Sequence, residues 1–375
     1  MEVKIVDNFE KFKALKKEWN EALEESSFNT FYLTFEWLAT WWEYFGQGHK
    51  LFVILIRDSG KLIAAAPIMI KNSRFGNFTK NRKLQFIATG VSDYMDFLIV
   101  KKADECFTMI FDEINRYSHT WDWAEFINIP ENSPNHMQWF NCQGYQWINV
   151  KEKRGVSVIL DLKQYSTWEE YFQKKLSKKL KNNLRWQEKR LRNFGKVSLE
   201  TLVSYDQIKS AIPKFFEFHQ HRSIEKGFKS QFNEDNAKAR YVALAKDLSG
   251  SGRIELSCLK VGQKIAAMHL GFTYDNRYYY YAPAFNPALS AFSPGKLLLV
   301  NLIKNSYGRG IDEFDLLLGA ESYKFSWADK VINLHTILFF KKSASSQLRR
   351  LYRQQRQKLA KVAFLGRLKR KFTSV

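Results

Sequence analysis

Cysteine is scarce: Cys106, Cys142 and Cys258 stand far apart, with no CxxC pair and no Cys/His ligand spacing. That argues against a disulfide framework or a zinc site and makes a reducing cytoplasm the expected compartment. No uncharged run approaches the roughly 20 residues that a membrane-spanning helix needs. Met1 to Asp7 has no basic segment followed by an apolar one, so no secretion signal is expected. Acidic residues are the scarce charge, 38 against 59 Lys and Arg, which leaves a formal net charge of +21. Such a balance favours polyanionic partners: nucleic acid, a phospholipid surface or phosphorylated small molecules. What is abundant is apolar and aromatic, 45% and 16% of 375 residues, enough for a sizeable core and a length that suggests two or three domains.

In the first half, Phe12, Leu15, Trp19 and Leu23 fall at helical spacing. Thr34 reads as the N-cap of a second helix, Phe35 to Phe45, with Trp37, Trp41 and Trp42 as a core stripe. Strands Leu51 to Ile56 and Lys61 to Ile70 flank the turn Asp58-Ser59-Gly60. Strands Lys83 to Ala88 and Met95 to Val100, helix Ala103 to Tyr117, an extended Trp121 to Ile127 and strand Val156 to Leu162 follow. A similar order then returns: strand Lys196 to Leu202, helices Ser204 to Arg222 and Asn233 to Leu248, and hairpin Arg253 to Thr273. Strand Arg277 to Ala282, helix Pro294 to Tyr307 and strand Phe314 to Leu318 complete it. Gly60 to Ile68 aligns with Gly262 to Leu270 at a constant offset of 202, and agreement in element order on both sides makes duplication the better reading. The mixture predicts an α+β fold of two tandem units, each a mostly antiparallel sheet flanked by helices, with a basic C-terminal helix. The expected division is 1–162, a basic linker helix 163–195, 196–342 and a tail 343–375.

The linker pattern, Trp168 to Phe194, sets nine Lys and Arg, Lys174 to Arg192, against Glu188, with Leu176, Leu180, Leu184 and Leu191 as one packing stripe. It reads either as a solvated linker or as an arm gripping phosphates of a nucleic acid, nucleotide-sugar or lipid. The tail from Ser343 has ten Lys and Arg and no acid, a pattern that suits either a docked C-terminal helix or contact with an anionic membrane surface.

The second copy holds the stretch around which the chain is organised. Ser293-Pro294-Gly295-Lys296 opens an apolar helix, and Gly319-Ala320-Glu321-Ser322-Tyr323-Lys324 follows the strand that ends at Leu318. A strand running through a Gly-containing turn into a helix N-terminus presents free N–H groups and a positive dipole end to an anion.

Element order in this copy resembles the GNAT acyltransferase fold. Phe35 to Trp42, Ser92 to Asp96, Phe218 to Arg222, Ser293 to Lys296 and Phe314-Asp315 to Tyr323-Lys324, in that order over residues 1 to 340, resemble the CelD-like acetyltransferases, tandem-domain relatives of the FemAB peptidyltransferases. That resemblance implies an acyl-CoA-dependent N-acyltransferase. It would transfer an acyl group, acetyl the first candidate, to an amine or amino sugar of cell-surface polysaccharide or envelope metabolism. The protein would be cytoplasmic or peripheral at the inner face of the membrane. A FemAB-like transferase using aminoacyl-tRNA, or a non-catalytic membrane-associated assembly factor, are the alternatives. The co-substrate implied is acetyl-CoA or another acyl-CoA, with no metal.

By the same resemblance Tyr280, Tyr281 and Ala282 belong to the strand that polarises the thioester. Ser293 and the amides of Gly295, Lys296 and Leu297 would hold the pyrophosphate. The usual phosphate loop is Gln/Arg-x-x-Gly-x-Gly/Ala. Here Phe292 stands first and Leu297 last, only Gly295 is retained, and the Leu297 side chain is expected to crowd the approach. Residues 102–104, at the matching place in the first copy, have no Gly, so that half is expected to lack a donor site. Tyr323 is the candidate acid, Lys324 a phosphate-side lysine, and Asp315 a base or orienting group or a structural acceptor. His269, His219 and Arg222 are candidate acceptor-side residues, against structural readings for the histidines. Asp93 and Asp96 flank Tyr94 as turn caps or acceptor ligands.

Overall fold

The computed structural model describes residues 1–342 apart from 76–78, 141–144, 146, 226 and 228, together with 346, 347, 350, 351, 353 and 355. The expected basic amphipathic tail therefore lies largely outside the described residues. One part of it, Arg353, is docked: its guanidinium pairs with Glu125 and Glu152.

The first half runs β1 (Glu2–Val6), α1 (Phe9–Lys13), α2 (Lys16–Glu24), α3 (Phe35–Phe45), β2 (Lys50–Leu51), β3 (Val53–Asp58), β4 (Lys61–Ala66), β5 (Ile68–Phe75), β6 (Thr79–Phe86), β7 (Leu98–Ile99), α4 (Ala103–Arg116), β8 (Trp123–Pro130) and β9 (Trp147–Asp161). Next come α5 (Trp168–Lys174), α6 (Lys178–Arg192), β10 (Val197–Leu202), α7 (Tyr205–Glu225), α8 (Asp235–Leu248), β11 (Ile254–Val261), β12 (Lys264–Tyr274), β13 (Arg277–Phe285), α9 (Pro294–Gly308), β14 (Glu313–Leu318) and β15 (Lys330–Lys341). The strands form one sheet ordered β1-β3-β4-β7 and one ordered β10-β11-β12-β13-β14-β9-β15-β8-β6-β5-β2. Pairing is antiparallel throughout except for β13 with β14 and β6 with β8, the mixed α/β arrangement that the alternation of elements predicts.

Local chemistry explains where elements stop. The expected strand Lys61 to Ile70 breaks at Pro67, which has no N–H to give a ladder. β4 then stays in the smaller sheet while β5 enters the larger. The long basic helix is two helices, because Ser177 adopts extended angles and its hydroxyl accepts from the Leu180 amide at 3.2 Å, an N-cap that starts α6 afresh. Met95 to Val100 narrows to the two residues of β7.

The two halves share one backbone feature. Each enters the helix ahead of its parallel strand pair through a left-handed residue, Lys102 (φ 54°, ψ 50°) before α4 and Ser293 (φ 50°, ψ 48°) before α9. They also share a sheet, since β9 and β15 lie side by side from Lys330↔Ile159 to Lys341↔Trp147. β9 reaches across to β14 and β15 to β8. We therefore describe two lobes joined by this exchanged pair.

The cores differ at one place that matters. Among β6, β8 and α4 of the first lobe, the buried ring of Trp139 packs on Phe97 at 4.5 Å, Phe126 at 5.1 Å and Phe107 at 5.6 Å. Its indole N–H donates to Asp96 at 2.8 Å. In the second lobe, cavities lie among β13, β14 and α9. The Trp37 stripe is core: Trp37 is fully buried against Phe272 and Tyr281 of the other lobe.

Candidate active site

β13 and β14 pair through only three positions, Arg277↔Glu313, Tyr278↔Phe314 and Tyr279↔Asp315. Beyond them β13 continues to Phe285 and β14 to Leu318 with no mutual pairing, so the strands splay. The bend has a visible cause. Leu317 sits at φ 63°, a costly conformation for a branched residue. Its amide is held by Asp315 Oδ1 at 2.8 Å, and Lys324 Nζ donates to the carbonyls of Leu317 at 3.2 Å and Leu318 at 3.0 Å. Gly319 follows at φ 141°; a Cβ there would stand 2.2 Å from Glu321 Oε2 and 2.8 Å from Lys324 Nζ.

Two adjoining cavities occupy the splay. One, of about 290 Å³, is lined by Phe285, Ser290, Ser293, Gly295 and Lys296 at the start of α9. The other, of about 250 Å³, is lined by Asp93 from the first lobe and by His219, Gln231, Tyr281, Glu321 and Lys324 from the second. Arg222, Tyr280, Pro283 and Tyr323 border both, so the two form one cleft with a junction.

At the helix end, Pro294 has no N–H. The Lys296 amide donates to Ser293 O at 3.0 Å, and that of Leu297 reaches the same oxygen at 3.4 Å. Of the three expected amides, Gly295 is the one with no backbone acceptor. The expected crowding by Leu297 does not occur: its side chain is 2% exposed and packs in the core beneath α9, lining neither cavity. Across the junction, Arg222 is half-buried and makes no ion pair among the described residues.

Burial decides the proton chemistry. Asp93 is pushed up to about 7 by desolvation, with the Lys324 ammonium pulling the other way. Tyr323 is pushed up to about 12 by burial and by Glu321, so its phenol stays protonated at neutral pH. His219 is held down near 4 by burial and by Arg222, its Nδ1 2.8 Å from Ser230 Oγ; it is neutral there.

Other candidates lie elsewhere. Asp315 lines neither cavity; it is fully buried, accepting from Tyr94 Oη at 2.7 Å and Ser157 Oγ at 3.2 Å, the structural alternative for this residue. Asp96 is fully buried among Ser133, Asn135 and Trp139. His269 is enclosed, its ring stacked on Tyr280 at 4.3 Å and held near 3 by burial, so it supports the cleft wall from behind. Ala282 lines the cavity of about 250 Å³, as does Tyr281, whose hydroxyl lies 2.6 Å from that of Tyr241. Sequence reasoning passed over Gln231, Pro283 and Glu321. Only Glu321 left a signal, its three-residue spacing to Lys324, which becomes a 3.0 Å ion pair.

Among the described residues no group of three or more His, Cys, Asp or Glu could hold a metal ion, and no helix is long and apolar enough to cross a membrane.

Residues 178–325 match the acetyltransferase (GNAT) domain family. FemX is similar in fold at 10% identity, TM-score 0.61, covering 90% of this chain and 97% of FemX. The C-terminal domain of a putative lysylphosphatidylglycerol synthetase from Agrobacterium fabrum is similar at 12% identity, TM-score 0.55, over 90% of this chain and 95% of that one. A tandem GNAT protein from the clavulanic acid biosynthesis pathway is similar at 9% identity, TM-score 0.50, over 90% and 98%. No curated protein matches. Residues 178–325 thus match a GNAT acetyltransferase domain, and the fold of the chain is similar to those of FemX and the tandem GNAT protein.

Proposed function

We propose that this protein is an acyl-CoA-dependent N-acyltransferase whose donor lies at the start of α9 and whose amine acceptor enters beside Asp93. The supporting observation is the single cleft in the β13–β14 splay, with a helix terminus at one end, a carboxylate near 7 at the other, and Tyr323 between. The residues fit the donor. Gly295 offers a free amide at a positive helix end, and the exposed Lys296 adds a charge for phosphate. Acyl-CoA would supply an activated thioester there; Tyr280, Tyr281 and Ala282 form the facing wall.

An amine must lose a proton before it attacks. The Asp93 carboxylate, half ionised near neutral pH, takes that proton, and an unperturbed carboxylate would be too weak a base for the task. Tyr323 Oη holds a proton at the junction, where a departing thiolate needs one. Lys324 and Glu321 fix the floor of the acceptor pocket, while Arg222 and Gln231 offer polar contacts. An amino sugar or other amine of cell-surface polysaccharide or envelope metabolism is the acceptor class that the sequence resemblance favours, and acetyl the first acyl group to test.

The test is calorimetry and thermal shift with acetyl-CoA and longer acyl-CoAs, followed by thiol release with an amine panel. Mass action predicts stabilisation by the true donor; silence with every coenzyme A derivative overturns the proposal. One observation favours aminoacyl-tRNA as the donor instead: Lys178, Lys179 and Lys189 on α6 are exposed and make no ion pair among the described residues. Salt-sensitive retention on tRNA, without response to acyl-CoA, would establish that alternative.

A further inference from the structure

The turn Pro287–Phe292 that leads into α9 has two sides. Ser290 lines the donor cavity, while Phe292 meets α6. There the Arg190 guanidinium lies 4.7 Å from the centre of the Phe292 ring and 4.4 Å from that of Trp186. Arg190 Nη1 donates to Ala291 O at 3.3 Å, and Phe194 meets Phe292 edge-on at 5.0 Å. The pile is not finished by the protein itself: Trp186 is 53% and Phe194 50% exposed. Two large aromatic rings in water, beside a cation and packed against Phe292, which stands three residues of chain before Gly295, form an unusual surface. Even fully extended, those three residues span only about 10 Å.

We propose that Trp186, Arg190, Phe194 and Phe292 form a stacking platform for the purine base of the donor's nucleotide portion, with Lys189 and Lys296 supplying charge for its phosphates. This rests on the acyl-CoA reading. The chemistry is specific to that kind of ligand. A purine presents a wide π-face that stacks on an indole, and a guanidinium held against the rings adds cation–π attraction. The exposed Lys189 and Lys296 make no ion pair among the described residues, so an incoming phosphate displaces no carboxylate. A donor whose pyrophosphate sits on the Gly295 amide would have its base within reach of this surface, while its acyl end extends toward Tyr323. α6 lies outside the strand–helix–strand unit that forms the cleft, so the platform adds nucleotide affinity without touching the reacting atoms.

The experiment compares coenzyme A with 4′-phosphopantetheine, which lacks the nucleotide, by calorimetry on the wild type, Trp186→Ala, Trp186→Phe and Phe194→Ala. Both residues are half exposed, and circular dichroism checks that the variants fold. Loss of one stacking partner is expected to raise the Kd of coenzyme A about tenfold in Trp186→Ala, to leave 4′-phosphopantetheine unchanged, and to be largely restored by Trp186→Phe. Equal affinities of Trp186→Ala and wild type for coenzyme A overturn the platform while leaving the acyl-CoA proposal standing. Absence of binding by the wild type to either compound overturns both. If Trp186→Ala instead weakens retention of deacylated tRNA and spares coenzyme A, the surface serves nucleic acid and the platform proposal is wrong.

Discussion

Tyr94 of the first lobe donates a 2.7 Å hydrogen bond to the Asp315 carboxylate of the second. The same carboxylate holds the amide of Leu317, where β14 bends away from β13. Asp315 is therefore a positioning residue that ties the lobes together and opens the cleft. Asp315→Ala would leave the buried Ser157 hydroxyl and the Leu317 amide without their acceptor, and would strip the Tyr94 hydroxyl of one of its two acceptors, the other being Ser157 Oγ. A loss of about 2–4 kcal/mol in denaturant unfolding is expected. A variant that unfolds like the wild type would show that the bend is held by something else.

Asp93 gives a pH signature with a definite sign. Its folded value, about 7, is raised from 3.8, so between about pH 4 and 7 the folded protein keeps a proton that the unfolded chain releases. Stability conferred by this group consequently falls as pH rises through that window. Asp93→Asn should gain on the wild type by about 1–3 kcal/mol at pH 8 and not at pH 4, measured by urea unfolding at both. In activity the sign is opposite. The wild-type kcat/KM should fall tenfold per unit below about pH 7, and Asp93→Asn should be slower by about 10²–10⁴ with that limb gone.

Tyr323 should act as an acid without carrying the fold. Its phenol makes no hydrogen bond among the described residues and borders both cavities. Tyr323→Phe is expected to lower kcat by about 10²-fold or more while donor Kd stays within a factor of two, on the order of general-acid contributions. A leaving group more acidic than coenzyme A should narrow the deficit; an unchanged kcat would remove Tyr323 from the mechanism.

Much of this was legible in the chain. β10 to β14 fall within a few residues of their expected bounds, because alternating apolar residues and tight glycine turns mark short antiparallel strands locally. The long β9 was not legible beyond Val156. Lys151, Glu152, Lys153 and Arg154 carry no apolar alternation of their own, and their strand exists because β15, about 180 residues away, supplies its partner. The same limit hid the setting of Asp93. Beside Tyr94 it looks like a turn cap, and only the packing of one lobe on the other brings it, half-buried, into the cavity that Lys324 also lines. Asp315 lies outside both cavities for the mirror-image reason, its carboxylate being taken up by Tyr94, which a single-strand reading cannot see.

Gly319 tests the floor of the cavity proposed for the acceptor. At φ 141° a side chain is strained, and the added Cβ of Gly319→Ala would collide with Glu321 and Lys324. The Lys324 ammonium must then leave the Leu317 and Leu318 carbonyls that it caps. About 1–3 kcal/mol of stability should go, and acceptor KM should rise more than donor Kd. Equal loss on both sides would mean that the two cavities are not separately built.

Gly295 is the complementary case, a glycine that the fold itself does not need. A Cβ there would meet nothing nearer than Phe285 Cδ1 at 3.9 Å, and its backbone is helical, where Ala is favoured over Gly by up to about 1 kcal/mol. Gly295→Ala should therefore melt at the same temperature as the wild type or slightly above. Gly295 and Phe285 both line the donor cavity, so the methyl enters the space that a pyrophosphate must approach to reach the amide. Calorimetry with acetyl-CoA should show an affinity at least about tenfold weaker, or 1.4 kcal/mol, against unaltered stability. Unchanged affinity would place the phosphates away from the α9 terminus.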